Sequence, residues 1–288
     1  MFQYNNIQNQ YFGHFLDGLS AEDPLSLLNS VISLNAELSN AQNVESCKKK
    51  IDFYFYELQS KCEDLFEDDR LNLFNSYFFD QKKLQVAPLK PSCLDELFID
   101  QLIVKGSASA LPVSILYSNL ASRLNIPIYF MNSRHFHIVK WMQNGRSYYL
   151  NLACGGQILC QQELLSLVCT ENHEDRESCL EILPLKKVFE LYLNEMIQLL
   201  EKSAQFDKLK LCLDLALHID SSQFGLLAKR AVVNNRLGNG KEALCDLKRY
   251  FAFNDISCAP HELRTTYQEL SRFYDLSSNS TTNIDFLH

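Results

Sequence analysis

Apolar residues recur at intervals of three and four positions from Asp23 to about Phe79, a pattern that predicts amphipathic helices. The spacing is clearest in LSLLNSVISL and in IDFYFYELQSKCEDLF. The segment QVAPLKPSC follows with two prolines, which favour a loop. A further helix is expected in LDELFIDQLIV, and the small residues of Gly106–Ala110 interrupt its pattern.

The middle of the chain combines one helix with several short strands. The segment from Val113 to Leu124 predicts a strong helix, with Asn125 as its C-cap and Pro127 as a stop signal. The segment IPIYFMNS then predicts a strand. Two more strands, HFHIVKW and SYYLNL, are expected on either side of Asn144-Gly145, a dipeptide typical of tight hairpins.

The last third of the chain has a helical pattern throughout and contains an internal repeat. The segment FDKLKLCLDLALHID (206–220) aligns with GKEALCDLKRYFAFN (240–254) at a spacing of 34 residues. Each of the two segments is preceded by another apolar-periodic helix. A helix–turn–helix period of 34 residues is the signature of tetratricopeptide repeats.

These patterns predict an α+β domain followed by an all-α repeat domain. We expect an N-terminal extension over residues 1–20, the α+β domain over 21–170, and a polar linker over 171–183. The repeat domain is expected over 184–275, and a disordered tail over 276–288.

Composition narrows the classes of function. The 288 residues have a net charge of −8, which argues against binding of nucleic acid because that requires a basic face. No apolar run reaches the roughly 18 residues of a membrane span, and the N-terminus lacks the pattern of a signal peptide. The ten cysteines form no C-x-x-C pair, which predicts reduced thiols in a cytoplasmic protein rather than disulfides or a metal site. Nothing in the sequence predicts a cofactor.

The order of elements around residue 110 is that of a Cys/His/Asp catalytic site. Such a site places a thiol at the start of a helix, where the helix dipole and a nearby imidazole lower the thiol pKa. A third polar group orients the imidazole. In this chain, no cysteine stands between residues 94 and 153.

Three stretches of the chain show a resemblance to a known family: GSASALPVSILYSNLASRLNIPI, RHF, and YLNLACGGQIL with the CQQEL that follows. They resemble the transglutaminase-like domain of the bacterial SirB-type proteins, which also contain C-terminal tetratricopeptide repeats. The resemblance extends over roughly residues 20–275. It implies a papain/transglutaminase-like α+β fold and a cytosolic bacterial protein with a scaffold or regulatory role.

The resemblance also assigns three positions of a degenerate catalytic triad. The nucleophile of the active enzymes falls on Ala110, the histidine on His135 and the acid on Asn151. SirB-type proteins typically lack the cysteine as well, whereas they usually retain an aspartate where Asn151 stands. The main alternative is a cysteine hydrolase or acyltransferase with a relocated nucleophile, Cys154, assisted by His135. Ser109 is a weaker candidate, because a shift of one residue rotates a helical side chain by about 100°.

The register of the hairpin bears on this site. A three-residue loop over Gln143–Gly145 would place His137 opposite Asn151, with His135 on the same face. A two-residue loop, Asn144-Gly145, would turn Asn151 away from both histidines. The two histidines are also candidate metal ligands, but no third ligand stands at a suitable spacing.

The repeat segment contains a candidate surface for a protein partner. Its second copy presents a basic, amide-rich strip on the first helix, a position that lines the concave face of stacked repeats. Such a strip suits an acidic peptide segment, although it is also compatible with a simple solvated face. A retained cleft that senses a small molecule or peptide is a third possibility. The residues of the strip are Lys229, Arg230, Asn234, Asn235 and Arg236.

Overall fold

The computed structural model describes residues 13, 19, 23–39, 44–63, 65–88, 90–132, 136–168 and 178–281. The chain divides into two compact units, Met1–Tyr192 (unit 1) and Leu193–His288 (unit 2). Most of the described residues are helical, and a small antiparallel sheet lies in unit 1.

In the described part of unit 1, several helices come first along the chain. The antiparallel sheet follows, and then a helix that packs on the sheet. A π-helical turn over Ser76–Gln81 continues α3 directly, and short 3-10 turns lie at Leu94–Leu97, Leu152–Cys154 and Ser178–Leu180. The α-helices are α1 (Pro24–Ser39), α2 (Val44–Cys62), α3 (Glu67–Asn75), α4 (Ile99–Lys105), α5 (Ala110–Arg123) and α6 (Gln161–Val168).

The central helix α5 is delimited by local backbone chemistry at both ends. Gly106 ends α4 in the left-handed conformation, with φ of 77°, which a glycine adopts without steric cost. Ser109 is extended and precedes the first helical residue, Ala110. At the other end, Asn125 also adopts a left-handed conformation, with φ of 57°, and Pro127 prevents continuation. The helix therefore starts three residues earlier than the pattern predicts.

The main sheet has the strand order β3-β4-β5-β6 and is antiparallel throughout. One face contains the buried residues Val139, Trp141 and Leu150, while the opposite face contains Ile138, which packs against Leu164 of α6. A separate two-stranded parallel ladder joins β1 to β2 just before α5. The strands are β1 (Gln85–Val86), β2 (Ser107–Ala108), β3 (Ile128–Phe130), β4 (Ile138–Gln143), β5 (Arg146–Asn151) and β6 (Gln157–Ile158).

Residues 182 and 183, which precede the next helix, pair with the end of β3 and with the residue that follows it. Ile182 bridges Met131, and the Leu183 amide donates to the Phe130 carbonyl at 2.9 Å. Thus, the last residues of the segment 171–183 pair with the sheet, while residues 171–177 lie outside the described residues.

Helix α7 (Leu185–Lys202) crosses the unit boundary between Tyr192 and Leu193. Consecutive helices of unit 2 pack on one another, with Ala231 and Leu247 at 0% exposure in their core. These helices are α8 (Phe206–Ile219), α9 (Phe224–Arg236), α10 (Gly240–Phe251) and α11 (His261–Thr281).

The first residues of α8 and α10 lie 34 positions apart, as the internal repeat requires. Helix α11 continues to Thr281, beyond the predicted end of the repeat domain. In the described parts of the chain, every helix is too short or too polar to span a membrane.

Candidate functional site

The N-terminus of α5 is the position at which the resemblance places a nucleophile. Ala110 is its first residue, so the side chain there is a methyl group. The preceding residue, Ser109, is 3% exposed, and its amide donates to the Glu96 carbonyl at 2.8 Å. Among the described residues, the Ser109 Oγ has no hydrogen-bond partner. The helix start is thus well fixed, but its side chains offer neither a thiol nor an activated hydroxyl.

The residue that follows the predicted histidine is hydrogen-bonded to α5. His135 lies outside the described residues, but the next residue, Phe136, accepts a 2.5 Å hydrogen bond at its carbonyl from the Ser114 hydroxyl. Ser114 is one helical turn after Ala110 and therefore lies on the same side of the helix. The hydrogen bond fixes the backbone beside His135 next to this face of α5.

The hairpin has the two-residue loop rather than the three-residue alternative. Gln143 pairs with Arg146, and both Asn144 and Gly145 have positive φ, as a type I′ turn requires. In this register Asn151 lies opposite Ile138, not opposite His137. The hypothesis of a His137–Asn151 pair across the hairpin is therefore wrong, because the shorter loop shifts the register by one residue.

Asn151 instead makes contacts within its own turn. Its Oδ1 accepts from the Ala153 amide at 3.0 Å, and its Nδ2 lies 3.4 Å from the Cys154 Sγ. The Leu152 amide donates to the His137 carbonyl at 2.8 Å, which ties the turn to the start of β4. The structure thus brings together Asn151 and Cys154, two of the residues singled out in the sequence.

A polar network that the sequence analysis missed supports the glycine turn after Cys154. The buried Tyr117 hydroxyl of α5 donates to the Asn75 Oδ1 at 2.6 Å, and the Asn75 Nδ2 lies 3.4 Å from the Gly156 carbonyl. Burial raises the pKa of Tyr117, which keeps its hydroxyl protonated as a donor. Gly156 has φ of 78°, and an added Cβ would lie 2.6 Å from the Asn75 Oδ1. Both features require glycine at position 156.

An open groove lies beside this turn. It has a volume of about 450 Å³ and contains mostly polar side chains, among them Asn72, Asp80 and Gln157, together with Cys154. The exposed Cys154 therefore faces a groove in which a peptide or small molecule has room to bind.

The sequence of residues 45–188 matches the family model of the Transglutaminase-like superfamily. The chain belongs to this superfamily. The match covers half of the chain, from α2 to the beginning of α7, and so includes α5, the hairpin and the glycine turn. No curated protein and no solved structure matches the chain.

The thiols of the transglutaminase-like chain differ in burial, and burial changes the pKa of some of them. Burial raises the pKa of Cys47 to about 12, and it does the same for Cys212 in unit 2. Both are therefore protonated at neutral pH, the opposite of what a nucleophile needs. Cys93, Cys154, Cys160, Cys245 and Cys258 are exposed. Within the described residues, no three His, Cys, Asp or Glu side chains form a cluster that could hold a metal.

The predicted partner-binding strip lies on α9 of unit 2, where most of its side chains already have carboxylate partners. Lys229 forms an ion pair with Glu201 at 2.8 Å, and Arg236 lies 3.7 Å from Glu262. Arg236 also stacks over the ring of Phe206. Asn235 is exposed.

Arg230 is the centre of a buried charge cluster. It donates to Asp246 through Nε at 2.8 Å and Nη2 at 2.6 Å, and to Asp214 through Nη1 at 2.8 Å. Burial alone would lower the pKa of Arg230, but the two carboxylates raise it. Asn234 is 2% exposed, and its Nδ2 lies 3.5 Å from Asp246. Arg230 and Asn234 are therefore engaged inside the helix stack, whereas Lys229, Asn235 and Arg236 are accessible.

Proposed function

We propose that this protein is a non-catalytic cytoplasmic scaffold or regulatory protein of the bacterial SirB type. In this proposal, a degenerate transglutaminase-like domain is joined to a protein-binding domain of tetratricopeptide-like repeats. The observation that supports it best is the methyl group of Ala110 at the first position of α5. The Ser109 amide fixes the helix start by its bond to the Glu96 carbonyl, but position 110 has no atom that can attack a carbonyl.

The neighbouring side chains do not replace the missing thiol at the helix start. Among the described residues, the Ser109 hydroxyl has no base within hydrogen-bond reach, and an unactivated hydroxyl is a weak nucleophile. The side chain of Asn151, at the position of the triad acid, is engaged with Ala153 and Cys154. Each of the two features supports a domain that has lost its chemistry and kept its fold.

A second candidate function is a cysteine hydrolase or acyltransferase in which Cys154 is the nucleophile. The contact between the Asn151 Nδ2 and the Cys154 Sγ supports it, because an amide donor stabilises a thiolate. Cys154 is also exposed beside the groove. In this alternative, His135 would act as the base.

Selective thiol labelling of the full chain distinguishes the two functions. At neutral pH, we expect Cys154 to react with iodoacetamide at a rate similar to that of Cys93, Cys245 and Cys258, as ordinary exposed thiols do. The site-by-site rate is measured by mass spectrometry of quenched samples. Fast labelling of Cys154 alone, lost in His135→Ala but retained in the control His261→Ala, would favour the enzyme over the scaffold.

The partner of the repeat domain is proposed to be an acidic peptide segment that binds the accessible part of the strip. The pairs of Lys229 with Glu201 and of Arg236 with Glu262 are exposed, and pairs of this kind are worth only about 0–1 kcal/mol. An acidic peptide can therefore replace these carboxylates at little cost, and Asn235 adds an amide beside them. Arg230 and Asn234 would instead hold the helices in place.

Fluorescence anisotropy with a labelled glutamate-rich peptide tests this partner. The double variant Lys229→Glu/Arg236→Glu should weaken binding at least several-fold, whereas Lys241→Glu/Lys248→Glu, which makes the same change in net charge at exposed positions of α10, should preserve it. Equal weakening in both variants would show that only net charge matters and would contradict a specific strip.

A further inference from the structure

An ammonium group on the surface of unit 1 is surrounded by aromatic rings. The Lys82 Nζ lies 5.5 Å from the ring centre of Phe53, 4.8 Å from that of Tyr54 and 5.0 Å from that of Tyr77. Phe53 and Tyr54 belong to α2, and Tyr77 belongs to the π-helical turn. Each ring is within the distance of about 6 Å at which a cation is attracted to an aromatic face. We call these three rings, together with Glu57, the aromatic cage.

A carboxylate completes the aromatic cage. The Glu57 Oε2 lies 2.7 Å from the Lys82 Nζ, and the Tyr77 hydroxyl donates to the same oxygen at 2.5 Å. The hydrogen bond from Lys82, and then that from Tyr77, lower the pKa of Glu57, so that it is charged at neutral pH. Burial and the bond to Glu57 raise the pKa of Tyr77, which keeps it a donor. Three rings and one carboxylate form a site for a cation that also has N–H groups.

The aromatic cage has a fixed wall and an open side. Tyr77 is 2% exposed, whereas the Phe53 side is open, with 57% of that residue exposed. The Lys82 amide donates to the Tyr77 carbonyl at 2.9 Å, which holds the Lys82 backbone at the end of the π-helical turn. The flexible four-carbon stem of Lys82 can therefore rotate out to solvent while the rings and Glu57 stay in position.

We propose that the aromatic cage is a recognition site for an alkylammonium group of a partner, which enters in exchange for Lys82. The favoured ligand is a lysine side chain, unmodified or with one or two methyl groups, because these forms keep an N–H to donate to Glu57. A quaternary ammonium retains the attraction to the rings but loses that hydrogen bond. The site uses none of the residues at the start of α5 or on α9, and it stands independently of the proposed function.

The exchange is tested with the full chain and Nα-acetyl-Nε,Nε-dimethyl-lysine methylamide as the probe, by NMR titration. In the wild-type chain, the probe should cause saturable shifts at Phe53 and Tyr54. Lys82→Met removes the ammonium group and its bond to Glu57 from the aromatic cage and should bind the probe at least about tenfold more tightly, since the charged internal competitor is removed. Lys105→Met is the matched control, because Lys105 also has a carboxylate partner, Asp95 at 3.1 Å, but lies at the end of α4 and is not part of the aromatic cage; its affinity should equal that of the wild type.

Two further measurements complete the test. Adding Tyr54→Leu to Lys82→Met should abolish the gain in affinity, and tetramethylammonium should bind Lys82→Met more weakly than the lysine probe does. The proposal is overturned if folded Lys82→Met binds no more tightly than Lys105→Met, or if tetramethylammonium, as a stand-in for a free quaternary amine, binds equally well. If Lys82→Met does not fold, Lys82→Ala provides the same comparison, and absence of probe shifts in the wild-type chain overturns the exchange by itself.

Discussion

Helices α5 and α9 both bury polar side chains, but they satisfy them to different extents. On α9, the Arg230 guanidinium makes three hydrogen bonds to Asp214 and Asp246. On α5, Asn119 is fully buried, and neither its Oδ1 nor its Nδ2 has a hydrogen-bond partner among the described residues. Ser109, at the start of the same helix, has an Oγ in the same condition.

The difference indicates that the buried polar residues of the two helices have different roles. A buried network in which the charges are paired fixes how helices pack, so the Arg230 cluster has a structural role. Buried polar atoms without partners are rare in native proteins and cost stability, and they are found most often where function outweighs folding. Ser109 directly precedes Ala110, the position where we propose that a nucleophile has been lost, and its unpartnered hydroxyl agrees with that proposal.

The largest expected effect comes from breaking the network on α9. Arg230→Met removes the cation between Asp214 and Asp246, which are 9% and 3% exposed. Asp214 then retains its ion pair with Lys210 at 2.5 Å, whereas the buried Asp246 is left with the 3.5 Å contact to the Asn234 Nδ2. We expect a loss of about 3–5 kcal/mol in the free energy of unfolding, measured by urea denaturation. Lys229→Met, the neighbouring exposed pair, should cost only about 0–1 kcal/mol. Similar losses in both variants would mean that the network on α9 is not structural.

On α5, by contrast, we expect a substitution that increases the free energy of unfolding. Asn119→Leu replaces an unpartnered buried amide with an apolar side chain of similar size, and it should stabilise the protein by about 1–3 kcal/mol. The matched control is Asn35→Leu in the same unit, which should destabilise it. Asn35 is buried too, but its Nδ2 donates to the Tyr192 hydroxyl at 2.6 Å and its Oδ1 accepts from the Ile99 amide at 3.1 Å. Destabilisation by both variants would contradict the contrast between satisfied and unsatisfied amides.

The smallest expected effect concerns a buried titratable group that has no charged partner to offset its burial. Burial raises the pKa of Cys212 to about 12 from its ordinary 9.0. The unfolded chain releases the Cys212 proton at a lower pH than the folded chain does. The contribution of the protonated thiol to the free energy of unfolding is therefore complete below pH 9 and is lost as the pH rises towards 12. Between pH 8 and pH 10, the wild type should lose about 1 kcal/mol more than Cys212→Ala in urea unfolding. Cys245→Ala, an exposed thiol, should keep the wild-type dependence on pH; a Cys212→Ala variant that also keeps it would refute the assignment.

Local sequence signals were sufficient for most of the sheet and for the C-terminal end of α5. The dipeptide Asn144-Gly145 predicted the hairpin, and Asn125 with Pro127 predicted the end of the helix. The start of α5 was placed too late, because Ala110, Leu111 and Pro112 follow a run of small residues without a clear period. Proline at a third helical position is tolerated, since the first amides of a helix have no intrahelical partner.

The contacts that decide the chemistry could not be predicted from spacing. Arg230 is 16 residues from both Asp214 and Asp246, so its bonds depend on how three helices pack. The strip on α9 was predicted from sign and spacing alone, and these do not show which cations are already paired. Asn75 and Tyr117 are 42 residues apart and look like ordinary helix positions in the sequence.

Helix α7 has a practical consequence for anyone who wishes to isolate either half of this protein. Its first two turns contain the buried Phe189 and Tyr192, and the Tyr192 hydroxyl donates to the Leu97 carbonyl of unit 1 at 2.7 Å. Its later turns belong to unit 2 and contain Met196 and Leu200, which are also buried. A fragment that starts at residue 184 would carry Phe189 and Tyr192 without the rest of unit 1, and one that starts after Lys202 would lack the turns that contain Met196 and Leu200. Expression of the separate halves therefore calls for a soluble substitute for the missing turns, not only for a well-chosen cleavage point.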